Sequence, residues 1–128
     1  MSLYRAKQIN KNKQTTWKIN KHLTCESRNI VYLIECKKEM CIRNNEYRYI
    51  GESKRPLRYR LADHRGYILN KNQNKATGAH FSLPGHSLSD LSVTIIEQVK
   101  KNEDTYRKER EKYHIKQFNT YHSGLNKK

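Results

Sequence analysis

Tyr32, Tyr49, Arg58, Arg60, His64 and Glu111 have the side chains needed to hydrolyse a phosphate ester. That reaction needs a water that loses a proton, a cation beside the phosphate, and help for the leaving oxygen. Arginine suits the phosphate, because its fork is planar and permanently charged. A carboxylate can hold a divalent ion such as Mg²⁺, which keeps most of its waters. Tyrosine is an unusual base, with a free pKa of about 10. A neighbouring arginine and a metal charge would lower that value. Each side chain also has a plainer reading. Tyr32 and Tyr49 could be packing residues on strands, Arg60 a solvated helix charge and His64 a satisfied core residue. Glu111 could pair with Arg107 one turn earlier on its own helix. Their order and combination favour the chemical reading.

A scaffold must bring these groups together. Tyr32 lies in Asn29–Cys36, NIVYLIEC, the strongest strand in the chain. Ile30, Tyr32 and Ile34 share one face, and Val31 and Leu33 the other. Two apolar faces make it a central strand. A polar connection, Cys36–Glu46, leads to a second strand, Tyr47–Gly51, which carries Tyr49 and closes a hairpin with a long loop. Pro56 suits a first helical turn. Leu57, Leu61, His64 and Ile68 then fall on one helix face, with Arg60 one turn before His64. Asn70–Gly78 reads as a polar loop, and His80–His86 as a turn presenting two histidines. Leu91–Val99 is a third strand, rich in β-branched residues. Asn102 is a fair N-cap, with Glu103 and Asp104 favouring the helix dipole. The helix runs to Phe118 with two stripes, Tyr106/Tyr113 and Glu111/Ile115/Phe118. An acid in an apolar stripe is turned inward. The turn His122–Gly124 precedes Leu125 and Asn126. The expected fold is α+β, a small, mainly antiparallel three-stranded sheet flanked by helices. Tyr32, Tyr49, Arg60, His64 and Glu111 should line one concave basic face.

Composition narrows the partners. At 128 residues one domain is expected, and 34% apolar content leaves no surplus core. The net charge is +15, from 27 Lys and Arg against 12 Asp and Glu. Such a chain favours polyanions, nucleic acid first. An acidic membrane surface fits less well, since no basic helix has a clean apolar face. No apolar run is long enough for a membrane span, and no signal peptide opens the chain. Three cysteines cannot all pair, so an intracellular, reducing setting is expected. Residues 4–22, rich in Lys, Asn and Gln, read as a solvated linker or tail that can track phosphates. Within them Trp17-Lys18-Ile19 alternates like a short edge strand.

Cys36, Cys41, His80 and His86 form a candidate Cys₂His₂ set for structural Zn²⁺. The plainer reading makes Cys41 a free loop thiol and His86 a turn cap. Cys25 is the substitute ligand if Cys41 lies too far away; otherwise it is a buried small residue.

Ile30-Val31-Tyr32 followed by Tyr49-Ile50-Gly51 resembles the paired signature of the GIY-YIG endonucleases. Arg60 with His64, Glu111 with Ile115, and Leu125-Asn126 resemble the family's later motifs, in order. The resemblance covers about residues 24–127. Ile30 stands in place of the first motif's glycine, which an ordinary strand conformation would tolerate. The loop between the two tyrosines is longer than usual, which makes Tyr47 a rival to Tyr49, although Ile50-Gly51 completes the motif at Tyr49. CESRNIVYLIECK, YIGESKRPLRYRLADHR, HFSLPGHSLSDL and the final GLN further resemble the endonuclease domain of Penelope-like retroelements.

That resemblance implies a nuclear DNA endonuclease that nicks a duplex target to prime reverse transcription. It implies a parent protein whose reverse transcriptase brings RNA, and a zinc site from Cys36, Cys41, His80 and His86. Residues 24–128 would be the nuclease domain, and 1–23 the basic linker to that parent. Tyr32 would take the proton from water, and Tyr49 and His64 would orient or relay it, the two tyrosine roles being interchangeable. Arg60 would bind the scissile phosphate, with Arg58, Lys54, Arg65 and Asn126 also contacting DNA. Glu111 would hold one Mg²⁺ or Mn²⁺. A zinc-stabilised nucleic-acid-binding module without catalysis is the competing class, and an RNA-binding accessory domain the third. Arg60 and Glu111 separate the first two, since an inward acid on a positive face repels phosphate and serves a pure binder poorly; competition between duplex DNA and RNA separates the third.

Overall fold

The computed structural model describes residues 9–10, 16–17, 23–100 and 103–126. Near the start, β1 (Ile9–Asn10) and β2 (Thr16–Trp17) form a separate antiparallel pair. Trp17 therefore pairs with Ile9 and does not extend the main sheet. Lys18 and Ile19 lie outside the described residues.

The centre of the domain is β3 (Ile30–Cys36), buried along its whole length. Its alternation divides the core. Ile30, Tyr32, Ile34 and Cys36 enter one apolar cluster, and Val31 and Leu33 the other. After β3 the chain forms α1 (Glu39–Arg43), then β4 (Arg48–Ser53). The next elements are α2 (Leu57–Leu69), α3 (Ala76–His80) and a 3₁₀ turn at Leu88–Asp90. Then come β5 (Leu91–Gln98) and α4 (Asp104–Phe118). The sheet order is β4-β3-β5, antiparallel throughout. Helices cover both faces. Leu57 and Ile68 of α2 and Phe81 just after α3 pack on the Tyr32 face, and Phe118 and Ile115 of α4 on the Leu33 face. This is the α+β architecture expected from the pattern. Ile30 has no left-handed conformation, so the absent glycine is tolerated.

Several boundaries differ from the sequence expectation, each for a physical reason. The polar connection after β3 contains α1, which packs only the half-buried Cys41 against the core and so has no apolar period; an exposed Glu39–Arg43 pair at 2.8 Å spans one turn of it. The polar loop after α2 ends in α3, one turn too short to leave a periodic signal. Pro56 sits at the cap of α2, just outside the helix. It offers no side-chain acceptor, so the N–H groups of Leu57 and Arg58 donate to the carbonyls of Ser27 and Cys25. Glu103 occupies the cap of α4, and Asn102 lies outside the described residues.

The buried stripe of α4 is Arg107, His114 and Phe118, whereas Tyr113 is exposed. Arg107 and His114 go inward because they are paired. Arg107 donates to Glu52 (2.5 Å), Asp104 (2.8 Å) and Asn29 (3.1 Å), and His114 meets Glu97 at 2.8 Å. A charge can be buried when it is paired, and a polar ring when it is hydrogen-bonded.

The C-terminal segment covers the open edge of β4. Leu125 N–H donates to the Arg48 carbonyl at 2.8 Å. The Asn126 amide then clamps Ile50, accepting from its N–H at 2.7 Å and donating to its carbonyl at 2.8 Å. An uncovered edge strand invites pairing with another chain. Among the described residues no helix is long and apolar enough to cross a membrane.

Candidate active site

Adjacent strands place Tyr32 and Tyr49 side by side, their ring centroids 6.5 Å apart. Tyr32 is wholly buried, with its ring lying over its register partner Gly51. Helix α2 brings two further groups to its hydroxyl. His64 Nε2 lies 2.6 Å from the Tyr32 oxygen, and Arg60 Nε donates to the same oxygen at 3.2 Å. The four-residue spacing of Arg60 and His64 puts both on one side of the helix.

A second ring of contacts holds these groups. Asp63 accepts from Arg60 at 3.2 Å and from Arg55 at 2.6 Å. Burial alone would raise the Asp63 carboxyl, but Arg55 and Arg60 bring it below its ordinary value. The other ring nitrogen of His64, Nδ1, meets the Thr77 hydroxyl of α3 at 2.7 Å. Tyr49 and Tyr67 both stand edge-on to the His64 ring, at 5.5 and 5.6 Å. Burial, with Arg60 beside it, drops the His64 pKa to about 3, so the imidazole is neutral. Burial and the neighbouring Tyr49 push the Tyr32 phenol far above its ordinary value, while Arg60 opposes them.

Glu111 comes from α4, on the other side of the sheet, yet lines the same cleft as Tyr49, Arg60 and His64. The cleft holds about 1030 Å³. Among the described residues none hydrogen-bonds or ion-pairs with the Glu111 carboxylate, Arg107 being engaged elsewhere. Burial first, and then Glu52, lift its pKa to about 7. A half-buried acid without a protein partner suits a divalent cation, which would take over as its counter-charge.

The Cys/His set also assembles. Cys36 ends β3, Cys41 lies on α1, His80 ends α3 and His86 follows in the next turn. One ligand atom from each falls within 4.8 Å of all the others. Cys41 Sγ lies 3.3 Å from His86 Nε2, while His80 Nε2 is buried with no hydrogen-bond partner. Two thiols and two imidazoles, one of them orphaned, are the donor set of a closed tetrahedral zinc site. Folding of α1 brings Cys41 within reach, so Cys25 is not needed; it lies before α2, outside the cluster.

The remaining expected DNA contacts are dispersed. Arg58 is two residues from Arg60, about 200° round the helix. It pairs with Glu26 at 2.8 Å and stacks over Tyr59. Lys54 and Arg65 are exposed, and Asn126 lines the cleft while clamping Ile50. Tyr47 packs against the core beside Arg48, so Tyr49 is the tyrosine facing His64. Asp63, Tyr67 and Thr77 escape sequence reading. Only Asp63, three residues after Arg60 on one helix, leaves a visible spacing.

A phenol held between a guanidinium and a neutral imidazole thus lies beside a cleft that also holds a half-buried acid with no hydrogen-bond or ion-pair partner among the described residues. Residues 28–126 match the GIY-YIG catalytic domain, and the chain belongs to that family. It is an endonuclease domain and its substrate is nucleic acid. No curated protein and no solved structure matches the chain.

Proposed function

We propose that residues 24–128 are a metal-dependent endonuclease that nicks one strand of duplex DNA. Residues 1–23 are the basic linker to a parent reverse transcriptase, as in the target-nicking domain of a Penelope-like retroelement acting in the nucleus. The observation that carries the reading is the pair of contacts on one phenol oxygen, 3.2 Å from Arg60 Nε and 2.6 Å from His64 Nε2.

The chemistry follows from that pair. Bound phosphate would neutralise Arg60, which after burial is the main cause holding the His64 pKa at about 3. Tyr32 then hands its proton to His64 Nε2 in the same step in which it takes one from the water attacking phosphorus, so no free phenolate is left beside Arg60. Tyr32 is the base because its hydroxyl has a proton acceptor in contact, while Tyr49, bordering the cleft, orients the water. Phosphate competes for Arg60, and movement of the guanidinium gives water access to the buried phenol. Glu111 would hold Mg²⁺ or Mn²⁺, which when bound supplies positive charge at the phosphate and the leaving oxygen. The charge of +15 attracts the polyanion, with the exposed Lys54 and Arg65 contacting it. Cys36, Cys41, His80 and His86 would hold Zn²⁺ as a brace.

Plasmid nicking with Mg²⁺, with and without chelator, tests this reading. Glu111→Ala should lose nicking while DNA affinity in a gel shift persists. Undiminished nicking by that variant would sink the assignment. Equal loss from Tyr32→Phe and Tyr49→Phe would overturn the division of roles between the phenols.

A further inference from the structure

The buried hydroxyl of Thr77 is not a motif residue, yet it meets the ring nitrogen of His64 that faces away from Tyr32, at 2.7 Å. Thr77 is 1% exposed. Hydrogen counting at the Tyr32 oxygen gives that contact a direction. Arg60 Nε–H donates to the phenol oxygen, since arginine cannot accept. The phenol has one proton of its own and no solvent to give it to. Its remaining contact at this oxygen is His64 Nε2, at 2.6 Å. So Nε2 accepts. A neutral imidazole carries one proton, which then sits on Nδ1 and is donated to Thr77 Oγ1.

We propose that Thr77 is a positioning residue that holds His64 as the Nδ1–H tautomer, leaving Nε2 open to receive the Tyr32 proton. In the transfer the phenol O–H breaks and an Nε2–H forms. Nδ1–H remains bonded to the Thr77 oxygen, which then faces an imidazolium. With the other tautomer Nε2 would already carry a proton, and Tyr32 could not discharge onto it. The inference rests on the nuclease reading for its consequence, but not for its geometry.

Close packing seats α3 against the end of α2. Gly78 follows Thr77 and lies against the carbonyls of Asn72 and Tyr67, so closely that a Cβ there would collide with backbone. Thr77 therefore sits directly on the end of the helix that carries His64. Three residues on, the same short helix ends at His80, in the Cys/His cluster. Helix α3 is a strut with the tautomer-setting hydroxyl at one end and the ligand set at the other.

The test compares Thr77→Val with Thr77→Ser in the full chain. Val keeps the shape and removes the acceptor; Ser keeps the acceptor. The tautomer is read directly from ¹⁵N shifts of the His64 ring, and nicking turnover is measured at saturating DNA across pH 6–9. Thr77→Val should populate the Nε2–H form and lower turnover about 10–100-fold, by analogy with loss of the second hydrogen-bond partner of a metal-bound histidine, with KM unchanged. Thr77→Ser should restore both. A wild-type ring protonated on Nε2, or a Thr77→Val protein with unaltered tautomer and turnover within twofold, would overturn the proposal. So would equal impairment of both variants, which would mean that the methyl group matters and the hydroxyl does not. If wild-type protein nicks nothing, the nuclease reading fails while the ¹⁵N spectra still decide the tautomer.

Discussion

Tyr32 and Gly51 are register partners on β3 and β4, and the Tyr32 ring fills the space a side chain at 51 would take. Even a methyl group there would collide with the phenol carbon and oxygen. The glycine is thus required by the tyrosine across from it, since its own backbone has no left-handed conformation. Gly51→Ala should displace the hydroxyl from His64 and Arg60. Overpacking of this kind costs about 1–3 kcal/mol. We expect nicking to fall at least as far as in Tyr32→Phe, with a folded circular-dichroism spectrum. Retained activity would show that the phenol's position is not critical.

Glu111 should make stability and metal affinity depend on pH in opposite senses. Its carboxyl is raised to about 7 by burial and Glu52. A folded-state value above the unfolded one means its contribution is fully present below about pH 4.5. That contribution is lost as pH rises through about 7. Metal-free Glu111→Gln should therefore be more stable than wild type at pH 8 and equal to it near pH 4. Mn²⁺ should raise the wild-type Tm more at pH 8 than at pH 6, because the carboxyl must lose its proton to bind. Thermal melts of both proteins, with and without Mn²⁺, check both halves. A pH-independent Mn²⁺ shift would remove Glu111 as a ligand.

The Cys/His cluster should be a permanent zinc centre. Native mass spectrometry should find one Zn²⁺ per chain, and a strong chelator should lower the Tm. Cys36→Ser should lose the ion and much of the stability, because Cys36 is a buried core residue at the end of the central strand. Retention of zinc by that variant would point to a different ligand set.

Asn126 should matter for folding more than for binding. Its two bonds to Ile50 pin the C-terminal segment along β4. Asn126→Ala leaves two backbone groups of a buried residue without those partners, at a cost of about 1–3 kcal/mol for each such group. Denaturant unfolding should show the loss, with DNA affinity reduced less than twofold when measured well below the unfolding midpoint. A large drop in affinity at unchanged stability would make it a DNA contact after all.

Much of this architecture could be read before any coordinates. Alternation in NIVYLIEC made β3 central and two-sided, and the spacing of Leu57, His64 and Ile68 marked the buried face of α2. Motif order brought Tyr32, Tyr49, Arg60, His64 and Glu111 into one list. What stayed illegible was polar and local. Helices α1 and α3 are too short for a period to register, and no residue of α1 is fully buried. The inward placing of Arg107 and His114 shows only once their partners Glu52, Asn29 and Glu97 are known.

By itself the sequence determined the sheet, its order of use and the kinds of groups available for chemistry, because periodicity and residue type are properties of the chain alone. Only the tertiary structure decided which groups meet. It turned Glu111 into the shared cleft and Arg58 away from it, and it folded α1 back to bring Cys41 to the histidines. It also set Thr77 against the far side of His64. Contacts between distant segments depend on how helices seat on the sheet, and no local spacing encodes that.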